Sequence, residues 1–269
     1  MSKLSLSHAW EETKAILARD GNLLGTVALA LVVLPQAVYA AYFADGAEVS
    51  PMSQLAGLIV ILIGLSAQIS LNRLAIGPST TVAEAIGRGA ARVPAAFAGF
   101  VIVILAMSVL FLPVAMLLVS VGVLEEAAAS GAMPPPRLLG IFLVYFIFVF
   151  SLFQLIVPIC AAEKGGPFHL LARSWRLGRG QYWRLLAFLI FVLLGLMVVW
   201  LTGQLVAGIF TSLALGPPRS GSLSAVLLAL IVATAQGAYT MVSAVMLARI
   251  YAQLAGGSGA QASVPKSGI

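Results

Sequence analysis

The side chains able to do chemistry are few in this 269-residue chain, and they are badly placed for it. It has two histidines, His8 and His169, and one cysteine, Cys160. Neither histidine has a His, Cys or carboxylate partner at metal-ligand spacing, so no metal site is expected. A single cysteine excludes an intrachain disulfide and a thiol pair. Nucleophilic catalysis needs a base beside the nucleophile, yet the chain carries no Ser-His-Asp set, HExxH, Walker loop or Gly-rich fingerprint. Glu125-Glu126 is a carboxylate pair, but adjacent residues on a short loop between apolar stretches are expected to be solvated. The expectation is a chain with no catalytic residues, no metal and no cofactor, and so not an enzyme.

Two other groups of residues have the chemistry of binding. The densest polar run is Arg173-Ser174-Trp175-Arg176-Leu177-Gly178-Arg179-Gly180-Gln181-Tyr182-Trp183-Arg184. Arginine holds phosphate bidentately, and Trp and Tyr favour the membrane–water interface. Arg173, Arg176, Arg179 and Arg184 are therefore candidates for an anionic lipid headgroup, with an ordinary positively charged anchor as the competing reading. The second group is the amides Gln36, Gln68, Gln154, Gln204 and Gln236, with Ser66, Ser70, Ser151, Thr202 and Thr234, all inside apolar stretches. They read either as the lining of a polar path or as interhelical hydrogen bonds.

Those stretches set the fold class. Six run over residues 22–44, 52–72, 95–122, 138–162, 185–215 and 222–248, none with a charged side chain. Each exceeds the ~18–20 residues a helix needs to cross a bilayer. The composition agrees: 61% hydrophobic, 9% charged, mean hydropathy +1.07. The chain reads as an all-α polytopic membrane protein of six spans, a single membrane domain over 1–255, with 256–269 a disordered cytoplasmic tail. The first apolar run is too long for a signal-peptide core and is expected to stay as a helix. The outer loops are too short for a separate domain.

The net charge of +6 does not point to nucleic acid, because 13 of the 15 basic residues fall in alternate loops and at the termini. Only Arg137 and Arg219 lie on the other side, with Asp45, Glu48, Glu125 and Glu126. The positive-inside rule then puts both termini in the cytoplasm.

The inner segments share a design. Leu4–Asp20 gathers Leu6, Trp10, Thr13 and Leu17 on one face. Ser79–Arg92 opens with the capping box Thr81-Val82-Ala83-Glu84. Pro167–Arg179 follows Gly166 and sets Phe168, Leu171, Ala172 and Trp175 apart from its arginines. Each is expected to be an amphipathic helix in the cytoplasmic interface, ended by a turn at Asp20-Gly21-Asn22, Val93-Pro94 or Gly180-Gln181. One such helix plus two spans would make a unit used three times in parallel. Pro35, Pro113 and Pro158 are expected to kink spans one, three and four. Gly221, Ala225, Ala229, Ala233 and Gly237 form a small-residue ladder on span six, matched at the same interval on span five by Gly195, Val199, Gly203 and Ala207. It predicts close packing of spans five and six against each other or against a third helix.

The run Leu170–Gly180, followed by Trp183-Arg184-Leu185-Leu186, resembles a pattern in YciC-like bacterial inner-membrane proteins and in the membrane domain attached to some glycerophosphodiester phosphodiesterases. The Trp10 helix leading to Leu34-Pro35, the segment Thr81–Pro94 and Ile250-Tyr251-Ala252-Gln253-Leu254 are similar too. The likeness in organisation covers residues 5–254, Arg173–Leu186 is its specific part, and Gly178 stands where the family pattern has Thr. It implies a bacterial inner-membrane protein, and it carries over no catalytic residue to any position here. The hydrolase of such fusions is a separate barrel with His-Arg and Glu-Asn pairs, and neither dipeptide occurs here. The expected role is engagement of anionic membrane lipid, or of a cytoplasmic or membrane protein partner, in envelope maintenance or membrane organisation. The alternative is a permease component for a lipid-like or weakly polar solute, which a continuous cavity touching Gln68, Gln154 and Gln204 would favour.

Overall fold

The computed structural model describes residues 5–43, 50–77, 81–120 and 136–262, and these are helical apart from short caps and turns. Asp45, Glu48, Glu125, Glu126 and the last seven residues lie outside the described part. Six helices are each long and apolar enough to cross a membrane: Leu6–Phe43, Pro51–Ile76, Val82–Leu118, Gly140–Ala162, Tyr182–Leu215 and Leu223–Gly256.

Span one starts at Ser5, whose hydroxyl accepts the His8 N–H at 3.3 Å, and runs as α1, Leu6–Ala28. A π-helical turn follows at Leu29–Val33, and then α2, Leu34–Phe43. The π turn has a local cause. Pro35 offers no N–H to the carbonyl four residues back, and the ladder slips by one residue, so that the Leu34 N–H donates to Leu29. The kink expected at Pro35 is thus a bulge of the kind π turns make inside α-helices.

Two of the expected turns are absent. α1 passes through Asp20-Gly21-Asn22 without a break, and α4, Val82–Ser120, passes through Val93-Pro94. A helical glycine costs only ~1 kcal/mol, and one proline removes a single hydrogen bond from a long helix that packing holds together. The first two inner segments are therefore the leading turns of spans one and three. Of the face expected there, Thr13 is buried, together with Ala9, whereas Trp10 is exposed. Along that stretch α1 is laced to the last helix: Arg249 Nε donates to Glu12 at 3.0 Å, and the Ser5 N–H to Gln253 at 3.3 Å. α3 is Pro51–Ile76, capped by Ser50.

Span four breaks outright into α5, Pro136–Phe153, and α6, Ile156–Ala162. Pro158 sits in the first turn of α6, where a missing N–H costs nothing. The third inner segment is the one that stands alone, as α7, Pro167–Arg179. Span five is α8, Tyr182–Leu215, and span six is α9, Leu223–Ala262, which continues as helix past the boundary expected at residue 255.

α9 lies at the centre of the bundle. Its small-residue ladder faces span one: Ala229 and Ala233 are buried with Val33, Ala37 and Ala41, the Gly221 N–H donates to the Ala41 carbonyl at 3.0 Å, and a Cβ at Gly237 would collide with Val33. Gly221 also takes φ +72°, a left-handed conformation that a side chain would strain. The span-five ladder meets α9 on another face, with Gly195 against the Tyr239 hydroxyl and Gly203 against Val232. Burial concentrates at the end of the bundle bearing α6 and α7, around Ile69, Leu155, Ile156, Ile159, Leu170, Leu185 and Ile250. Toward the other end, spans three and five expose Leu110, Met116, Leu117, Phe210 and Leu213, an apolar surface suited to lipid.

Candidate functional site

The basic end is assembled from three devices. The first is a close crossing of α3 and α4. Ser70 Oγ donates to the Ser66 carbonyl at 2.8 Å and approaches the Ala85 carbonyl at 3.1 Å. A Cβ at Gly89 would meet Ser70 Oγ and, at 2.9 Å, the Ser66 carbonyl. Glycine is required there because the two backbones touch. The crossing fixes Arg73, three residues past Ser70, opposite Arg88 and Arg92, which flank Gly89.

The second device is the docking of α7 onto the break in span four. Ser174 is fully buried, and its hydroxyl donates to the Leu152 carbonyl at 2.7 Å. The Tyr182 hydroxyl donates to Phe148 at 3.1 Å, and Gln154 Nε2 to the Leu185 carbonyl at 2.8 Å. A broken helix leaves carbonyls without donors; Ser174 supplies one at Leu152, while Tyr182 and Gln154 tie span four to the start of α8. Leu170, Ser174, Leu177 and Gly178 form the inward face of α7. Gly178 lies so near the Leu152 carbonyl that an added Cβ would sit 3.3 Å from it.

The third is Glu163, which joins α6 to α7. Its carboxylate accepts Arg173 Nε at 3.0 Å and the Tyr251 hydroxyl at 2.8 Å, and its backbone carbonyl accepts Arg92 Nη1 at 3.0 Å. His169 stands 3.9 Å away. Glu163 was not singled out from the sequence. The signal was there, in a lone carboxylate amid the basic residues that follow span four.

Two hollows lie beside these devices among the described residues. One, of about 550 Å³, is apolar and aromatic: Phe97, Phe100, Phe150 and Phe188 line it, with Gln68, Gln154 and Ser243 as its polar groups. The other, of about 280 Å³, lies between α3, α4 and the end of α6, and is lined by Arg73, Arg88, Arg92 and Lys164 together with Gly89 and Cys160. Arg73 Nε is buried with no hydrogen-bond partner among the described residues.

The candidates read from the sequence are thus divided. Arg173 is tied to Glu163, whereas Arg176 and Arg179 are exposed on α7. Arg184 lies in the first turn of α8. Phe168 and Trp183, 74% and 72% exposed, and Trp175 stand out from the same region. Gln68 and Gln154 share the aromatic cleft, but Gln204 does not line it, and Gln236 instead accepts from Gln36 Nε2 at 3.3 Å on span one. Most intramembrane hydroxyls bond their own helix, as Thr202 does to Val198 and Thr234 to Leu230. Among the described residues, no group of three His, Cys, Asp or Glu side chains is placed to hold a metal ion. No protein-family model, curated protein or solved structure matches this chain.

Proposed function

We propose that the chain is a multi-pass protein of a bacterial inner membrane, both termini in the cytoplasm, that engages anionic lipid and catalyses no reaction of its own. A YciC-like identity fits this reading. The observation that carries it is the pairing on α7 and its turn of exposed Phe168, Trp175 and Trp183 with exposed Arg176 and Arg179. Aromatic rings seek the interface, and basic residues there are drawn to anionic headgroups, each by ~1 kcal/mol. In this reading α7 lies at headgroup level, and the aromatic cleft beside it has the chemistry to receive an acyl chain.

The test is the lipid that co-purifies with the full chain in mild detergent. Phosphatidylglycerol or cardiolipin enriched over the host membrane supports the reading, and a bulk lipid composition sinks it. Orientation is checked separately: Asp45→Cys should label from outside and Ser2→Cys should not. A second reading, a permease for a lipid-like solute, is favoured by Gln68 and Gln154 meeting in one cleft. The position of Gln204 and Gln236 outside that cleft weighs against a polar path along the whole bundle.

A further inference from the structure

We propose that the hollow between α3, α4 and the end of α6 is a binding site for a phosphate group, filled by the headgroup of an anionic phospholipid. This deepens the reading above by giving it a specific site, and it rests on that reading only for the lipid as the source of the phosphate. Four cations, Arg73 of α3, Arg88 and Arg92 of α4, and Lys164 just past α6, converge on one concave space that no carboxylate lines among the described residues. Arg88 pairs with Glu84, where both side chains are about half exposed. Arg92 gives one nitrogen to the Glu163 backbone carbonyl. Among the described residues no carboxylate pairs with Arg73, Arg92 or Lys164.

Like charges gathered in a partly dry space repel one another, and each loses hydration. A fold that assembles them leaves a strong field for an anion to enter. Arg73 makes the case most sharply: its Nε is buried and without an acceptor among the described residues, a donor that buried groups seldom leave unused. Guanidinium forks match phosphate oxygens in pairs, and a lysine adds a point charge. The small lining at Gly89, Ala91 and Ala161 leaves the floor open.

Size and position select a phosphodiester with its glycerol. The 280 Å³ hollow equals about nine waters at ~30 Å³ each, more than one phosphate occupies. The aromatic cleft lies next to it along the same three helices. Gln68 lines the cleft and Ile69 the hollow; Val157 lines the cleft and Cys160 the hollow. Three residues of helix rise only ~4.5 Å. A headgroup held by the arginines would have its acyl chains beside Phe97 and Phe100.

The experiment titrates the full-length protein in detergent with phosphatidylglycerol, with phosphatidylcholine as the neutral control, and separately with inorganic phosphate. The variants are Arg73→Gln/Arg92→Gln, Lys164→Glu and, for comparison, Arg176→Gln/Arg179→Gln. Saturable phosphatidylglycerol binding should weaken about tenfold or more in the first two, since two basic contacts are lost or one is reversed. It should change less than about twofold in the third. Binding unchanged in both pocket variants overturns the pocket and leaves the general lipid reading standing. Wild-type protein that ignores phosphatidylglycerol but binds phosphate through Arg73 and Arg92 makes the site one for free phosphate, and overturns the lipid as its occupant. Binding of neither overturns the site altogether. Should the double variant fail to fold, Lys164→Glu decides, because Lys164 is exposed.

Discussion

Two sets of basic side chains share one end of this bundle and are put to different use. Arg173, Arg176, Arg179 and Arg184 are contiguous in sequence; Arg73, Arg88, Arg92 and Lys164 are scattered over α3, α4 and the residues just past α6. The contiguous set sits on a convex surface. Successive residues three apart on a helix turn through about 300°, so the three α7 arginines fan outward over a broad face. One of them meets Glu163, and the other two remain exposed. The scattered set faces inward on a shared hollow. A single helix can display charge but cannot surround a ligand, and enclosure needs side chains from elements that the fold brings together.

The sharpest way to break this comparison is to push α3 and α4 apart. Gly89→Leu places a side chain against the Ser66 carbonyl and Ser70 Oγ, both fixed by hydrogen bonds. Overpacking costs ~1–3 kcal/mol even where side chains can shift, and here one neighbour is backbone. The variant should fall to the top of that range in detergent melting assays and lose the basic hollow, while α7 stays docked. Wild-type stability would mean that the crossing is loose and the four cations are not held together.

Glu163→Ala attacks the boundary between the two sets. It leaves Arg173 Nε and the Tyr251 hydroxyl without their acceptor, a loss of about 1–3 kcal/mol when the groups are buried and less when partly solvated, as here. The expected melting shift is modest, and Arg173 is released to join Arg176 and Arg179 at the surface. A stability equal to wild type would show that the carboxylate is a bystander. Ser174→Ala is smaller again. It removes one donor from the Leu152 carbonyl and should cost ~1 kcal/mol, read most directly as faster hydrogen exchange in α7.

How far the sequence shows all this depends on the range of the contact. The six spans, the Thr81 and Ser50 caps and the isolated α7 are local patterns, and each is legible in residues a few positions apart. The turns expected at Asp20-Gly21-Asn22 and Val93-Pro94 look equally local, yet they are absent, because glycine and proline weaken a helix without dictating where it ends. The hollow was hidden for a different reason. In the sequence Arg73, Arg88 and Arg92 are three of the basic residues between spans two and three, and each has meaning only for the side of the membrane it marks. What unites them is the Ser70–Gly89 crossing, a contact between residues nineteen positions apart whose only trace is one more glycine in a chain with 26. The ladder of span six was readable as a packing face, but its partner, span one, was not. Small residues announce closeness and not to whom.

The smallest predicted effect separates the two sets most cleanly. Arg176→Gln/Arg179→Gln alters exposed side chains with no carboxylate partner among the described residues, so stability should move by no more than about 0.5 kcal/mol. What should change is the lipid around the protein. Exposed cations enrich anionic lipid loosely through a field that salt screens, with a Debye length of ~8 Å at 0.15 M ionic strength and ~3 Å at 1 M. A phosphate enclosed by four basic groups is screened far less. Native mass spectrometry at low and high salt should therefore find two populations on the wild type. The loosely held one should vanish either with salt or with the α7 substitutions. The tightly held one should survive both and disappear with Arg73→Gln/Arg92→Gln. If salt strips all of the lipid at once, the two basic sets are a single diffuse surface, and the distinction between convex anchor and concave site fails.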